Sequence, residues 1–132
     1  MNKFQGKISN IEVSGSMSLV EVELSQKRVV KAIVIETPDT ADYLSIGNVI
    51  NILFKETEVF LGIGDPSISI QNKIPAEVIS IDSGRLISSV LLQTEIGELT
   101  SIISTNAVEN LKLKPGSEVT AYIKLNEVML SK

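Results

Sequence analysis

The chain has 132 residues and a net charge of −4 from twelve basic and sixteen acidic residues, with no Cys and no His. Those absences exclude disulfides, zinc-finger sites and Cys or His nucleophiles. Three Phe, two Tyr, no Trp and no basic run beyond Lys27-Arg28 argue against nucleic acid, which calls for a positive patch and stacking rings. No apolar run approaches the roughly 18 residues of a membrane span, and no charged start precedes a signal-like apolar core, so a cytoplasmic protein without membrane contact is expected.

In chain order, Val20, Val22 and Leu24 alternate with Glu21, Glu23 and Ser25, the period of a half-buried strand. Val29 to Ile35 is rich in β-branched residues and predicts a more buried strand. Thr37-Pro38-Asp39 sets a cap residue before Pro at a first helical position and predicts a short helix with Ala41, Leu44 and Tyr43 inward. Gly47 then returns the chain to a strand. Gly62 to Pro66 is too short and too apolar for a free tether and predicts a turn between packed units. Beyond it, Leu99 to Ser104 predicts a buried strand, and Thr105 caps a turn carrying Val108 and Leu111 inward. Pro115-Gly116 precedes a last alternation, Val119, Ala121, Ile123 and Leu125 against Thr120, Tyr122, Lys124 and Asn126. Gly15, Gly84 and Gly97 fall between strand candidates, where hairpin turns form.

The chain says nearly the same thing twice. Asn2-Lys3-Phe4-Gln5-Gly6-Lys7-Ile8 returns as Asn72-Lys73-Ile74-Pro75-Ala76-Glu77-Val78, and the segment from Gly47 returns from Gly116. The step from Asn2 to Asn72 is one longer than the step from Gly47 to Gly116, so one single-residue deletion reconciles the halves. Each unit has about 65 residues, a size at which a lone core is marginal and a partner surface is needed. The expected organisation is a first domain over 1–62, a connector over 63–67 and a second domain over 68–132. The expected fold is all-β: two tandem small antiparallel barrels, each with one short helix. Glu56 and Glu58 share a strand face but lie in polar sequence with no nucleophile signature nearby, so no enzyme is expected.

Three strings in the second half carry a resemblance. They are Ser69-Ile70-Gln71-Asn72-Lys73, then Leu99-Thr100-Ser101-Ile102-Ile103-Ser104, then Thr120-Ala121-Tyr122-Ile123-Lys124-Leu125-Asn126-Glu127-Val128-Met129-Leu130. In that order and spacing they resemble the Mop domain, the molybdate-binding member of the TOBE family, over nearly all of the second half; the first half resembles it more loosely. The resemblance implies OB-like barrels, molybdate as ligand with tungstate as the alternative, and a trimer of two-Mop chains that stores molybdate in the cytoplasm. Molybdate is a tetrahedral dianion whose oxygens accept hydrogen bonds, so its site is built from backbone N–H groups, hydroxyls and a Lys or Arg.

By motif position, Ser69, Asn72, Ser101 and Lys124 are the candidate oxyanion ligands. Ser69 and Ser101 would donate, Lys124 would supply charge, and Asn72 would either order a turn or touch the ligand. In the first repeat the corresponding positions are Asn2, Lys31 and Lys55, with Gly6 at the family's glycine, where a backbone approaches an anion closely. The chain departs from the pattern in three places. Gln71 replaces an Arg, Pro75-Ala76 replaces a Lys-Gly pair, and Lys31 in Val30-Lys31-Ala32-Ile33 replaces the Ser of the second string. Two further classes stay open: a regulatory module binding a transporter ATPase or regulator in trans, and an OB-like oligonucleotide binder.

Overall fold

Alternating burial runs through both halves, and it fixes which side of each strand faces the core. In the computed structural model, which describes residues 1–132, the first half forms β1 (Asn2–Ser14), β2 (Met17–Glu23), β3 (Val29–Val34), β4 (Val49–Phe54) and β5 (Phe60–Gly62). The second forms β6 (Asn72–Ser83), β7 (Ile87–Thr94), β8 (Gly97–Ser104), the helix α1 (Thr105–Asn110), β9 (Glu118–Ile123) and β10 (Met129–Ser131). Val20 and Val22 are fully buried while Glu21 and Glu23 are not, as their alternation requires. The long opening strands each carry an irregularity at the same place, between Ile8 and Asn10 in β1 and between Val78 and Ser80 in β6. Such a bulge bends a strand and adds twist, which lets one strand serve both ends of a curled sheet.

The sheets are not the two halves. One runs β10-β4-β1-β2-β3 and the other β5-β9-β6-β7-β8. The last strand of each repeat therefore completes the sheet of the other: Leu130 lies opposite Ile52, and Leu61 opposite Ala121. Both sheets are antiparallel and curl into the expected OB-like barrels. Because the final strands are exchanged, one core cluster of 24 buried residues draws on both halves, from Ile8 and Phe54 to Leu92 and Val128. This is how units too small to stand alone acquire a sufficient core.

The helix expectation holds in the second half and not in the first. α1 starts after Ser104, one residue before the expected Thr105, with Ser104 Oγ accepting from Ala107 N at 3.0 Å. Lys112 closes it at φ 53, with Leu113 N bonded to Val108 O at 3.0 Å. In the first half, residues 37–45 make successive turns instead. Ala41 N reaches Thr37 O at 2.8 Å, but Thr40 Oγ1 bonds both the N–H and the C=O of Thr37. That local side-chain bonding competes with helix propagation. Ala41 and Leu44 are nonetheless buried, and Tyr43 packs on the core.

The deletion between repeats lies in the turn after the second strand. β2–β3 pairs Val20 with Ala32, while β7–β8 pairs Val90 with Ser101. The step from Val20 to Val90 is one longer than the step from Ala32 to Ser101. The first repeat spends its extra residue on a helical turn at Ser25–Lys27, where Gln26 and Lys27 take positive φ. Lys31 is thus the counterpart of Thr100, not of Ser101 as the motif alignment predicts.

Candidate functional site

Ser69 and Lys124 meet at one cleft. Lys124 caps a helical turn, Leu125–Glu127, that packs against β3 of the first repeat. Ser69 lies in the segment leading into β6, which pairs with β9 just before Lys124. A cleft of about 260 Å³ opens between them, lined by Ser69, Ile70, Gln71, Lys124, Leu125, Asn126 and, from the first repeat, Ile33. Its side chains offer an ammonium, a hydroxyl and two amides, with no carboxylate. A tetrahedral oxyanion, four oxygens each needing roughly the 30 Å³ of a water molecule, fits that volume.

Asn72 stands directly behind the cleft and has another task. Its Nδ2 donates to Lys31 O at 2.8 Å and its Oδ1 accepts from Lys31 N at 2.8 Å. Asn2 does the same to Thr100, donating to the carbonyl at 2.9 Å and accepting from the N–H at 2.8 Å. Both asparagines are buried. Each side chain therefore copies one rung of a β-ladder and ties its repeat to the third strand of the other. Ser101 is fully buried, and its hydroxyl donates to Val59 O at 2.8 Å, so its proton is committed inside the fold.

The remaining candidates lie elsewhere. Lys31 is half-buried on β3 and does not line the cleft, although Ile33, two residues on, does. Lys55 is exposed and caps the turn Glu56–Glu58 in the first repeat. At Gly6 the close neighbour is β2: a Cβ there would fall 2.6 Å from Glu23 O and 2.7 Å from Leu24 Cδ2. The structure thus brings together Ser69 and Lys124, seats Asn72 behind them, and adds Gln71, Asn126, Leu125 and Ile33 to the wall. Gln71 and Asn126 flank the chosen motif residues and were within reach of the sequence. Ile33 comes from the other repeat and had no sequence signal.

Three larger concavities lie elsewhere; that of about 530 Å³ is lined by Glu36 and Asp39 with no Lys or Arg, and the remaining two have the wrong charge or a weaker one. One of about 640 Å³ is lined by Glu77, Glu95 and Glu118 with no Lys or Arg. Glu95 is held from outside by an ion pair with Arg28, whose Nη1 also donates to Lys73 O at 3.3 Å. The other, of about 440 Å³, surrounds Gly6 and sets Lys7 against Glu23. A dianion is repelled by the first and finds near-neutral charge in the second.

The TOBE domain model matches residues 68–130. Molybdenum-pterin-binding protein 3 of Clostridium pasteurianum is 38% identical over 65 residues, spanning 48% of this chain and 96% of that protein. Molybdenum-pterin-binding protein 1 of the same organism is 40% identical over the same shares. Among solved structures, the cytoplasmic molybdate-binding protein ModG with molybdate bound superposes with a TM-score of 0.91 at 28% identity, covering 98% of this chain and 94% of its own. The ModG match spans both repeats and their exchanged strands, whereas each clostridial protein aligns with about one repeat's length.

Proposed function

This chain belongs to the Mop group of the TOBE family, and on that premise we propose that it binds molybdate in the Lys124 cleft and serves as a cytoplasmic molybdate store or buffer. The observation that carries the reading is the meeting of Ser69, Gln71, Lys124 and Asn126, all hydrogen-bond donors, in one cleft without a carboxylate. The ammonium of Lys124 supplies the charge. The Ser69 hydroxyl and the amides of Gln71 and Asn126 supply directed donors, with the backbone N–H groups that open the turn at Leu125, which lack an intrahelical acceptor. Such a set binds an oxyanion and performs no bond chemistry. Tungstate, of the same shape and charge, is the competing ligand.

Asn72 acts in this scheme by holding β3, and hence Ile33, against the segment that carries Ser69. Self-association, as a trimer in this reading, has support from exposed apolar side chains that a partner would cover, among them Ile35 and Leu86 at 78% exposure and Ile87 at 63%. Localisation in the cytoplasm is supported by the likeness to ModG, which is described as cytoplasmic. Isothermal titration with molybdate, tungstate and sulfate tests the function. Saturable molybdate uptake, with a matching rise in melting temperature, is expected. No uptake of any oxyanion by the intact chain would refute it.

A further inference from the structure

The repeat places a counterpart of the Lys124 turn in the first half, and its chemistry differs. Lys55 and Lys124 cap matching turns with nearly equal backbone angles, φ −72 and ψ 147 against φ −65 and ψ 148. The same hydrogen bond closes each turn, Glu58 N to Lys55 O and Glu127 N to Lys124 O, both at 3.0 Å. Each turn packs on the third strand of the opposite repeat, 56–58 on β8 and 125–127 on β3. Resting on the reading that molybdate occupies the Lys124 cleft, we infer that Glu56 closes this counterpart to oxyanions, so that each chain carries one competent cleft of this kind and not two.

Two wall residues of the working cleft are Gln71 and Leu125. In the register of the repeat their counterparts are Met1 and Glu56. Those two bond to each other: the Met1 amine donates to Glu56 Oε2 at 2.5 Å. The position that offers donors in one repeat is filled in the other by an internal ion pair. The hydrogen bond from that amine holds the Glu56 carboxyl below its usual range, so it is charged at neutral pH. The pair carries no net charge, and a carboxylate only accepts hydrogen bonds, so it takes up the nearest cation and offers a dianion no donor in return. Thr57 keeps a hydroxyl where Asn126 has an amide, whereas Ser69 has no counterpart in this register, so the added carboxylate and the missing hydroxyl together separate the two positions.

Native mass spectrometry counts bound molybdate per chain in the wild type, Glu56→Leu, Glu56→Gln and Glu56→Leu combined with Lys55→Ala. Glu56→Leu installs the residue of the working cleft, and Glu56→Gln removes the charge with least change of shape. Both are expected to raise the count by one per chain, and loss of Lys55 in the Glu56→Leu background returns it to the wild-type value. An unchanged count in both Glu56 variants, with wild-type binding intact, overturns this inference alone, as does a gain that survives loss of Lys55. No binding by any variant, wild type included, overturns the Lys124 cleft and this inference together.

Discussion

Asn72→Ala separates a structural clamp from a ligand contact. The substitution removes two hydrogen bonds of 2.8 Å and strands the N–H and C=O of Lys31 at a part-buried seam between the repeats. At about 1 kcal/mol net per hydrogen bond, with a further cost of about 1 kcal/mol for groups that water reaches poorly, the loss is roughly 2–3 kcal/mol. For a chain of this size each kcal/mol moves the melting temperature by about 4 °C, so a fall of roughly 8–12 °C is expected. The assay is thermal unfolding by circular dichroism in the rigorous absence of oxyanions. Asn2→Ala breaks the matching clamp on Thr100 and is expected to cost about as much. A ligand-free melt of Asn72→Ala within about 2 °C of wild type, with weakened molybdate binding, would refute the clamp and return Asn72 to the ligand shell.

Gln71→Arg restores a charged fork to the cleft wall, and charge-assisted hydrogen bonds worth about 1.5–3 kcal/mol should tighten molybdate binding roughly 10- to 100-fold by titration. Gly6→Ala drives a methyl to 2.6 Å from a backbone carbonyl and should destabilise by about 1–3 kcal/mol in urea unfolding, whereas Ala76→Gly at the matching position should cost about 1 kcal/mol or less. Burial and a hydrogen bond to Glu36 push the Tyr43 hydroxyl up to about 12 from 10.0. The unfolded chain then loses that proton first, so stability is full below pH 10 and falls from pH 10 to 12; Tyr43→Phe should flatten the fall in pH-dependent urea curves. Proteolysis within the exposed segment Gly64 to Ser67 should leave the two fragments co-eluting on size exclusion, because each holds its last strand in the other's sheet.

Much of the fold is legible in the sequence because alternation and turn residues are local signals. The buried positions of β2 follow from period two, as do Val119, Ala121 and Ile123 of β9, although Tyr122, on the phase expected to be polar, is buried as well; Gly15, at φ 61, turns β1 into β2 as expected. Strand exchange is not legible, since nothing in the three residues of β5 or β10 names the sheet they join. Motif matching places Lys31 one residue out of register because a deletion inside a turn is invisible to it. In a strand that slip exchanges a buried face for an exposed one. The motif makes Ser101 a donor to ligand, yet burial gives its hydroxyl a partner in Val59, a residue brought near only by the exchange. Ser69 and Lys124 are legible because the motif holds both, while Ile33 needs the other repeat to be folded against them.

The measurement that tests the central claim most directly is anomalous diffraction at the molybdenum edge from crystals grown with molybdate. A peak within hydrogen-bonding reach of Lys124 Nζ and the Ser69 hydroxyl is predicted. Molybdenum absent from that cleft, or found instead only at the concavity around Gly6, would contradict it.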